Sequence, residues 1–227
     1  IAAFTVALLV VLFFAVPKMS AGEPFKVSQL PGLVKNPVLL SLFVGTAVIA
    51  TAYYTGYSYV EPYLQQIGGL SDEAITTSLM MSGVAGVIGS FLFARFYVGR
   101  RRRYWYIRVS LAGVALALAL MMPAALGGMG SVLVVFVLWG ICGVSFNVAY
   151  QSEILRFAPP NAAAVATAIY SGIFNLGIGG GSAVGGAVST AFGMGSVCFA
   201  GALIGAAAVA IACVFLIPAM RRTKPVE

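Results

Sequence analysis

The chain has 227 residues, of which 61% are hydrophobic and 8% charged, and its mean hydropathy is +1.01. Such values lie outside the range of soluble globular domains and mark an integral membrane protein. The formal net charge is +7 and histidine is absent, which removes imidazole zinc sites and Ser-His or Cys-His catalytic pairs, so the stretch does not read as an enzyme.

The first apolar run, residues 1–16, is a few residues too short to cross a hydrocarbon layer of ~30 Å as a helix. Because the chain opens on Ile1 inside that run, it is read as the end of a transmembrane helix. A signal peptide is the competing reading, and it lacks a basic leading region and a convincing small-residue cleavage site. Residues 17–36, "PKMSAGEPFKVSQLPGLVKN", carry prolines at 17, 24 and 31 together with Lys18, Lys26 and Lys35, which predicts a surface linker. Six further runs follow at 38–60, 74–98, 106–126, 131–152, 163–189 and 196–217, each long enough to span. Residues 37–227 therefore read as one bundle of six helices. "LSDEA" predicts a helix start capped by Ser71 with acids in the next turn. In "APPNAAA", Pro159 and Pro160 stop one helix and Asn161 is placed to cap the next.

The thirteen Lys and Arg residues alternate strictly between connections. Lys18, Lys26 and Lys35 precede the second run; Arg95, Arg100 to Arg103 and Arg108 surround the junction of the third and fourth. Arg156 follows the fifth, and Arg221, Arg222 and Lys224 follow the last. The other three connections hold none, so the positive-inside rule places the basic ones, with the linker and the C-terminal tail, in the cytoplasm. "GRRRRYWYIR", residues 99–108, mixes arginines with aromatics as nucleic-acid binders do. At a membrane border it reads instead as a cytoplasmic loop with Trp105 and Tyr106 at the headgroup level. The net charge is thus topological and implies neither a nucleic-acid partner nor an acidic substrate. Cys142, Cys198 and Cys213 all fall inside apolar runs and read as small buried hydrophobes.

Polar residues inside the spans are the candidates for function. In "TAYYTGYSYVEP", residues 51–62, Thr51, Tyr54, Ser58 and Glu61 follow helical spacing on one face, with Tyr53 and Tyr57 beside it. An interfacial aromatic belt accounts for Tyr59 and Tyr63, but Tyr53 and Tyr54 come only about 24 Å along from Val38, still inside the layer. Glu61 comes about 35 Å along, at or beyond the outer border, and Pro62 is expected to bend or end the helix. In the fifth run Gly140, Gly143, Asn147 and Gln151 form one strip, suited to bonding a hydroxylated ligand or another helix. Glu153 and Arg156 are placed to pair at i, i+3 near the inner border. Gly177, Gly181 and Gly185 recur every four residues, a ladder that lets a neighbouring backbone approach and lets helices slide. No strand precedes this segment and no lysine accompanies it, so it is not a phosphate-binding loop, and no cofactor is expected. Asn175, about 18 Å along from Ala163, lies close to the midplane with Ser171 and Ser182 within roughly 40° of it. It either bonds a neighbouring helix or lines a cavity. The acids are Glu23, Glu61, Asp72, Glu73, Glu153 and Glu227, and none is expected near the midplane.

Two segments, "AYYTGYSYVEPYLQ" and "SGIFNLGIGGG", together with the linker and six-helix layout, resemble the C-terminal half of a major facilitator superfamily transporter. The resemblance is to the drug:proton antiporter branch and its sugar efflux transporters of the arabinose exporter type. "GSFLFARFYVGRRRR", from Gly89, resembles a worn copy of the superfamily's loop motif, with Phe93 where an acid is expected. The resemblance implies an all-α membrane protein: a twelve-helix, multi-pass inner-membrane transporter whose two halves rock around a central site, with residues 1–16 as the end of helix six. Proton-coupled export of a sugar or sugar-like small molecule is the expected function, with multidrug efflux as the rival and a non-transporting scaffold or receptor as a rival of another class. Tyr54, Tyr57, Ser58, Asn147, Gln151 and Asn175 are then expected to line the substrate site. Glu61 and the Gly177, Gly181, Gly185 ladder are expected to serve gating. Partners are protons, the lipid bilayer and an N-terminal half, in which the titrating carboxylate is expected to lie.

Overall fold

The computed structural model describes residues 30–225. The expectations for residues 1–16 and for most of the linker lie outside the described residues. The described part is helical: α1 (Leu30–Lys35), α2 (Pro37–Tyr57), α3 (Val60–Gly68), α4 (Asp72–Phe96), α5 (Arg100–Leu126), α6 (Met129–Phe157), α7 (Ala163–Phe192), α8 (Val197–Ile211) and α9 (Ile217–Arg222). A π-helical turn, Ala212–Leu216, joins α8 to α9. It lies just before Pro218, which has no N–H to give to the carbonyl of Val214. Six helices among the described residues are long and apolar enough to cross a membrane.

Sequence cues account for most of the ends. Asn36 caps α2 by accepting from Val38 N at 3.0 Å, and Pro37 occupies the first helical position. Ser71 caps α4, accepting from Ala74 N, and Asp72 and Glu73 fill its first turn. Asn161 does not cap as expected: residues Pro160–Ala162 form a short 3-10 turn, and α7 starts after Ala162 without a side-chain cap. The last residues of the proposed linker also differ from a surface segment, since Leu30–Lys35 is helical and Leu33 is buried at its centre.

The helix after Tyr54 breaks earlier than Pro62. Its last regular residue is Tyr57; Tyr59 stands at φ −116°, ψ 9°, and Pro62 sits in the first turn of α3, where a missing N–H is tolerated. The cause is still Pro62, because a proline ring clashes with the carbonyl four residues back, here that of Ser58.

In the bundle, α2 packs on α7 and α8, α4 on α6, and α5 on α6 and α8. Side chains at the basic end tie the helices together: Asn36 Nδ2 donates to Phe157 O at 3.3 Å, and Arg100 donates to the carbonyls of Met220 and Arg221. The connections that carry the arginines therefore share one end of the bundle, as the charge alternation predicts. The core runs through Leu42, Ile49, Leu118, Phe136, Trp139 and Phe146. Helices α4 and α7 bury only 22% of their most apolar stretches.

Candidate functional site

Glycine makes room for a cavity among α2, α4, α6 and α7. Gly140 and Gly143 on α6 face α4 and α2 so closely that a Cβ on Gly143 would stand 2.9 Å from the ring of Tyr53. On α4, a Cβ on Gly86 would stand 2.8 Å from Val144 and one on Gly89 2.6 Å from the Ile141 carbonyl. Helices α4 and α6 consequently converge backbone to backbone, as small residues allow in lipid, while Gly143 makes room for the Tyr53 ring of α2. Above this seam lies a cavity of about 400 Å³, bordered by Tyr53, Tyr54 and Tyr57 of α2, Leu79, Ser82 and Gly83 of α4, Phe146 and Asn147 of α6, and Phe174 of α7.

The aromatic rings form one continuous wall. Tyr53 lies 5.3 Å from Tyr54, 5.6 Å from Tyr57 and 5.1 Å from Trp139, while Tyr54 meets Phe174 edge-on at 6.0 Å and 90°. Such edge and tilted pairs fix ring positions. Trp139 is buried behind the wall, at right-angle contact with Tyr57. The hydroxyls of Tyr59 and Tyr63 are taken up by the carbonyls of Ser182 and Gly195, whereas those of Tyr53, Tyr54 and Tyr57 have no protein partner among the described residues. Asn147 Oδ1 accepts from Gln151 Nε2 at 2.7 Å, which leaves the Asn147 amide nitrogen as a free donor beside the rings. Among the described residues no charged side chain borders the cavity.

The expected site residues thus divide. Tyr54, Tyr57 and Asn147 come together on the cavity wall. Gln151 is exposed and touches the site through Asn147. Ser58 points instead to α7, its hydroxyl 2.6 Å from that of Ser182, and pins the break after α2. Asn175 is exposed and donates to Ser171 O of its own helix at 2.8 Å, so it bonds neither a neighbouring helix nor the cavity wall. Phe174, just before it, and Gly177, two residues after it, are the ones that face the bundle. Glu61 is exposed in the first turn of α3. Sequence reasoning passed over Ser82, Gly83, Gly86, Phe146 and Phe174; the spacing of Ser82, Gly86 and Gly89 was a readable sign of a close helix contact.

The glycine ladder is a groove for α2. Cβ atoms built on Gly177 and Gly181 would lie 2.5 Å from Ala50 Cβ and 2.6 Å from the Thr51 carbonyl; one on Gly185 would lie 2.7 Å from the Tyr59 ring. Below the cavity, Glu153 corrects an expectation. It pairs with Arg103 at 3.3 Å and accepts from the Tyr97 hydroxyl at 2.6 Å, not with Arg156, because its side chain is turned into the bundle and fully buried while Arg156 is exposed. Burial, then the Glu153 charge, push the Tyr97 phenol well above its usual value. It therefore remains a donor. Among the described residues no three Cys, Asp or Glu side chains gather as a metal site would require.

A bundle of membrane-length helices around a glycine-lined, aromatic cavity agrees with the similarity of this chain to known proteins. The sequence model of the family described as Major Facilitator Superfamily matches residues 1–182. A protein of Mannheimia succiniciproducens named "Probable sugar efflux transporter" is 36% identical over 211 residues, 92% of this chain and 52% of its own length. The chain belongs to the major facilitator superfamily. It spans about half the length of the curated relative it matches. Phe93, where the resemblance expects an acid, stacks on Tyr97 at 4.5 Å, and the carboxylate that meets Arg103 is that of Glu153 on α6.

Proposed function

We propose that this chain forms the C-terminal wall of a secondary efflux transporter that exports a neutral, polyhydroxylated small molecule, a sugar or sugar-like compound, by alternating access. The observation that carries this reading is the cavity wall of tyrosine faces, phenol hydroxyls and one amide, with no partner for those hydroxyls and no charge beside them among the described residues. Ring faces suit the apolar sides of a pyranose or pentose, and the hydroxyls and amide suit its polar rim. The name of the 36% identical relative agrees with it.

Coupling belongs to the proposal too. None of Glu61, Asp72, Glu73 and Glu153 borders the cavity, so a proton-titrating carboxylate for antiport falls to an N-terminal half packed against the sparsely covered faces of α4 and α7. Asn175, on such a face, then lines the cavity shared by the two halves. Glu61, beyond the break at Ser58, and the Gly177, Gly181, Gly185 groove serve opening and closing. The basic end and the C-terminus are cytoplasmic by the positive-inside rule, in an inner membrane.

The deciding experiment is uptake into inverted membrane vesicles, with and without a pH gradient, of labelled arabinose and of a lipophilic dye. Gradient-dependent arabinose movement supports the reading. The densely aromatic wall favours multidrug export as the second reading, and dye movement without arabinose movement would establish that one instead. Asn175→Leu should lower efflux while leaving the protein inserted; unchanged efflux removes Asn175 from the site.

A further inference from the structure

A second concave surface lies on the opposite side of α6 from the cavity. Helices α4 and α5 follow one another in the chain but scarcely touch, because each packs on α6 instead. The gap between them is a groove of about 280 Å³, walled by Leu92 and Phe96 of α4 and by Trp105 and Val109 of α5, with Ile141 and Cys142 of α6 as its floor. Its rim is open: Trp105 is 58% exposed and Phe96 45%.

The hydroxyls in the groove are already occupied. The Tyr106 hydroxyl bonds Ser145 Oγ at 2.8 Å and Gly89 O at 3.3 Å, and Ser110 Oγ donates to Ile107 O at 3.1 Å. What remains for an occupant is hydrocarbon. Charge appears only at the end where α4 stops and α5 starts. Arg95 is exposed with its guanidinium 6.0 Å from the Phe96 ring, and exposed Arg102 precedes Trp105, Tyr106 and Val109 by three, four and seven residues on one face of α5. An apolar slot with two exposed cations at its mouth, beside an exposed tryptophan, complements a molecule with a hydrocarbon tail and an anionic head.

We propose that the groove between α4 and α5 is a specific binding site for an anionic phospholipid, with one acyl chain against Ile141 and Cys142 and the phosphate between Arg95 and Arg102. The site is independent of the transported substrate, since α6 turns Gly140, Gly143 and Asn147 to the cavity and Ile141, Cys142 and Ser145 to the groove.

Tryptophan fluorescence tests this directly, because Trp105 stands exposed on the groove wall while Trp139 is buried. The purified protein and its Trp105→Phe variant are reconstituted in phosphatidylcholine vesicles containing either brominated phosphatidylglycerol or brominated phosphatidylcholine, and the difference between the two proteins is the Trp105 signal. Stronger quenching of Trp105 by the anionic lipid at equal mole fraction is expected, each arginine contributing a preference on the order of fivefold. Arg95→Gln and Arg102→Gln, both at exposed positions, should each reduce the preference and together abolish it. Equal quenching by both lipids in the parent protein would overturn the site as ordinary annular lipid, and so would a preference that survives the double substitution.

Discussion

Glu153 and Arg103, fifty positions apart in the chain, meet at 3.3 Å at the basic end of the bundle, with the Glu153 side chain wholly buried. The pair joins α6 to the first turn of α5, and Tyr97 adds a 2.6 Å bond from the end of α4 to the same carboxylate oxygen. Removing one partner of a buried ion pair strands the other charge, at a cost of about 3–5 kcal/mol. Glu153→Ala should therefore lower the thermal unfolding midpoint of the detergent-purified protein strongly, and Arg103→Ala should do so less, because Tyr97 still donates to the carboxylate. Equal, negligible shifts would sink this account.

Tyr97 gives the same junction a pH dependence. Burial first, and the Glu153 charge second, raise its pKa above the ordinary value of 10.0. A group whose folded pKa is raised contributes stability that is full below the unfolded value and is lost as pH climbs through the folded one. The contribution of Tyr97 to the unfolding midpoint should thus hold until about pH 10 and be lost beyond it, and Tyr97→Phe should make the alkaline fall smaller. A fall of the same size in the variant would assign it to another group.

Glycines on α7 offer paired tests. A Cβ on Gly181 would stand 2.6 Å from the Thr51 carbonyl and 2.9 Å from Thr55 N, both backbone atoms that cannot turn aside, while a Cβ on Gly172 meets nothing within 4 Å. Gly181→Ala should destabilise by about 1–3 kcal/mol as α2 and α7 are pushed apart. Gly172→Ala should be neutral or stabilising by up to about 1 kcal/mol through helix propensity. Thermal unfolding of both variants checks the contrast, and efflux should fall with Gly181→Ala alone.

The same residues show what a sequence reveals in a membrane protein. The six spans were legible because about twenty apolar residues in a row have few other uses, and α5 and α6 run several residues past their apolar runs because helix hydrogen bonding does not stop at the hydrocarbon border. Arg100 to Arg103 are accordingly the first turn of α5 rather than a loop. Tyr54, Tyr57 and Asn147 were legible by contrast, as polar groups in an oily background. Phe146, Phe174 and Gly83 were not, since an apolar or absent side chain looks alike whether it faces lipid, core or cavity. Glu153 was assigned to Arg156 because local spacing sees only neighbours in the chain, and its real partner is set by how α5 and α6 cross. Ser58 and Asn175 lie on the expected helix faces, but those faces extend beyond the cavity, to Ser182 in one case and to exposed surface in the other.

For the cavity, the proposed roles separate ring from hydroxyl. Tyr54→Phe keeps the edge contact with Phe174 and removes one free hydroxyl. Loss of one neutral hydrogen bond to substrate should raise KM for sugar efflux about two- to tenfold, with little change for a lipophilic dye. Tyr54→Ala should impair both, and a Phe variant as poor as the Ala variant toward the dye would refute the division.

Pro62 is the last and most mechanical case. Its ring displaces the Ser58 carbonyl from helical bonding, and the break that follows lets Tyr59 reach Ser182 O at 3.1 Å and Ser58 reach the Ser182 hydroxyl at 2.6 Å. Pro62→Ala restores a donor to the Ser58 carbonyl and permits α2 and α3 to run on as one helix. The variant should unfold at a higher temperature yet export more slowly, since a straightened helix withdraws Tyr59 from α7 and stiffens the element that carries Tyr53, Tyr54 and Tyr57. Ser182→Ala removes only the hydroxyl contact and leaves the Tyr59 bond to the carbonyl, so its effect on efflux should be smaller than that of Pro62→Ala. A Pro62→Ala protein with a raised midpoint and undiminished efflux would mean that the break positions side chains without needing to flex.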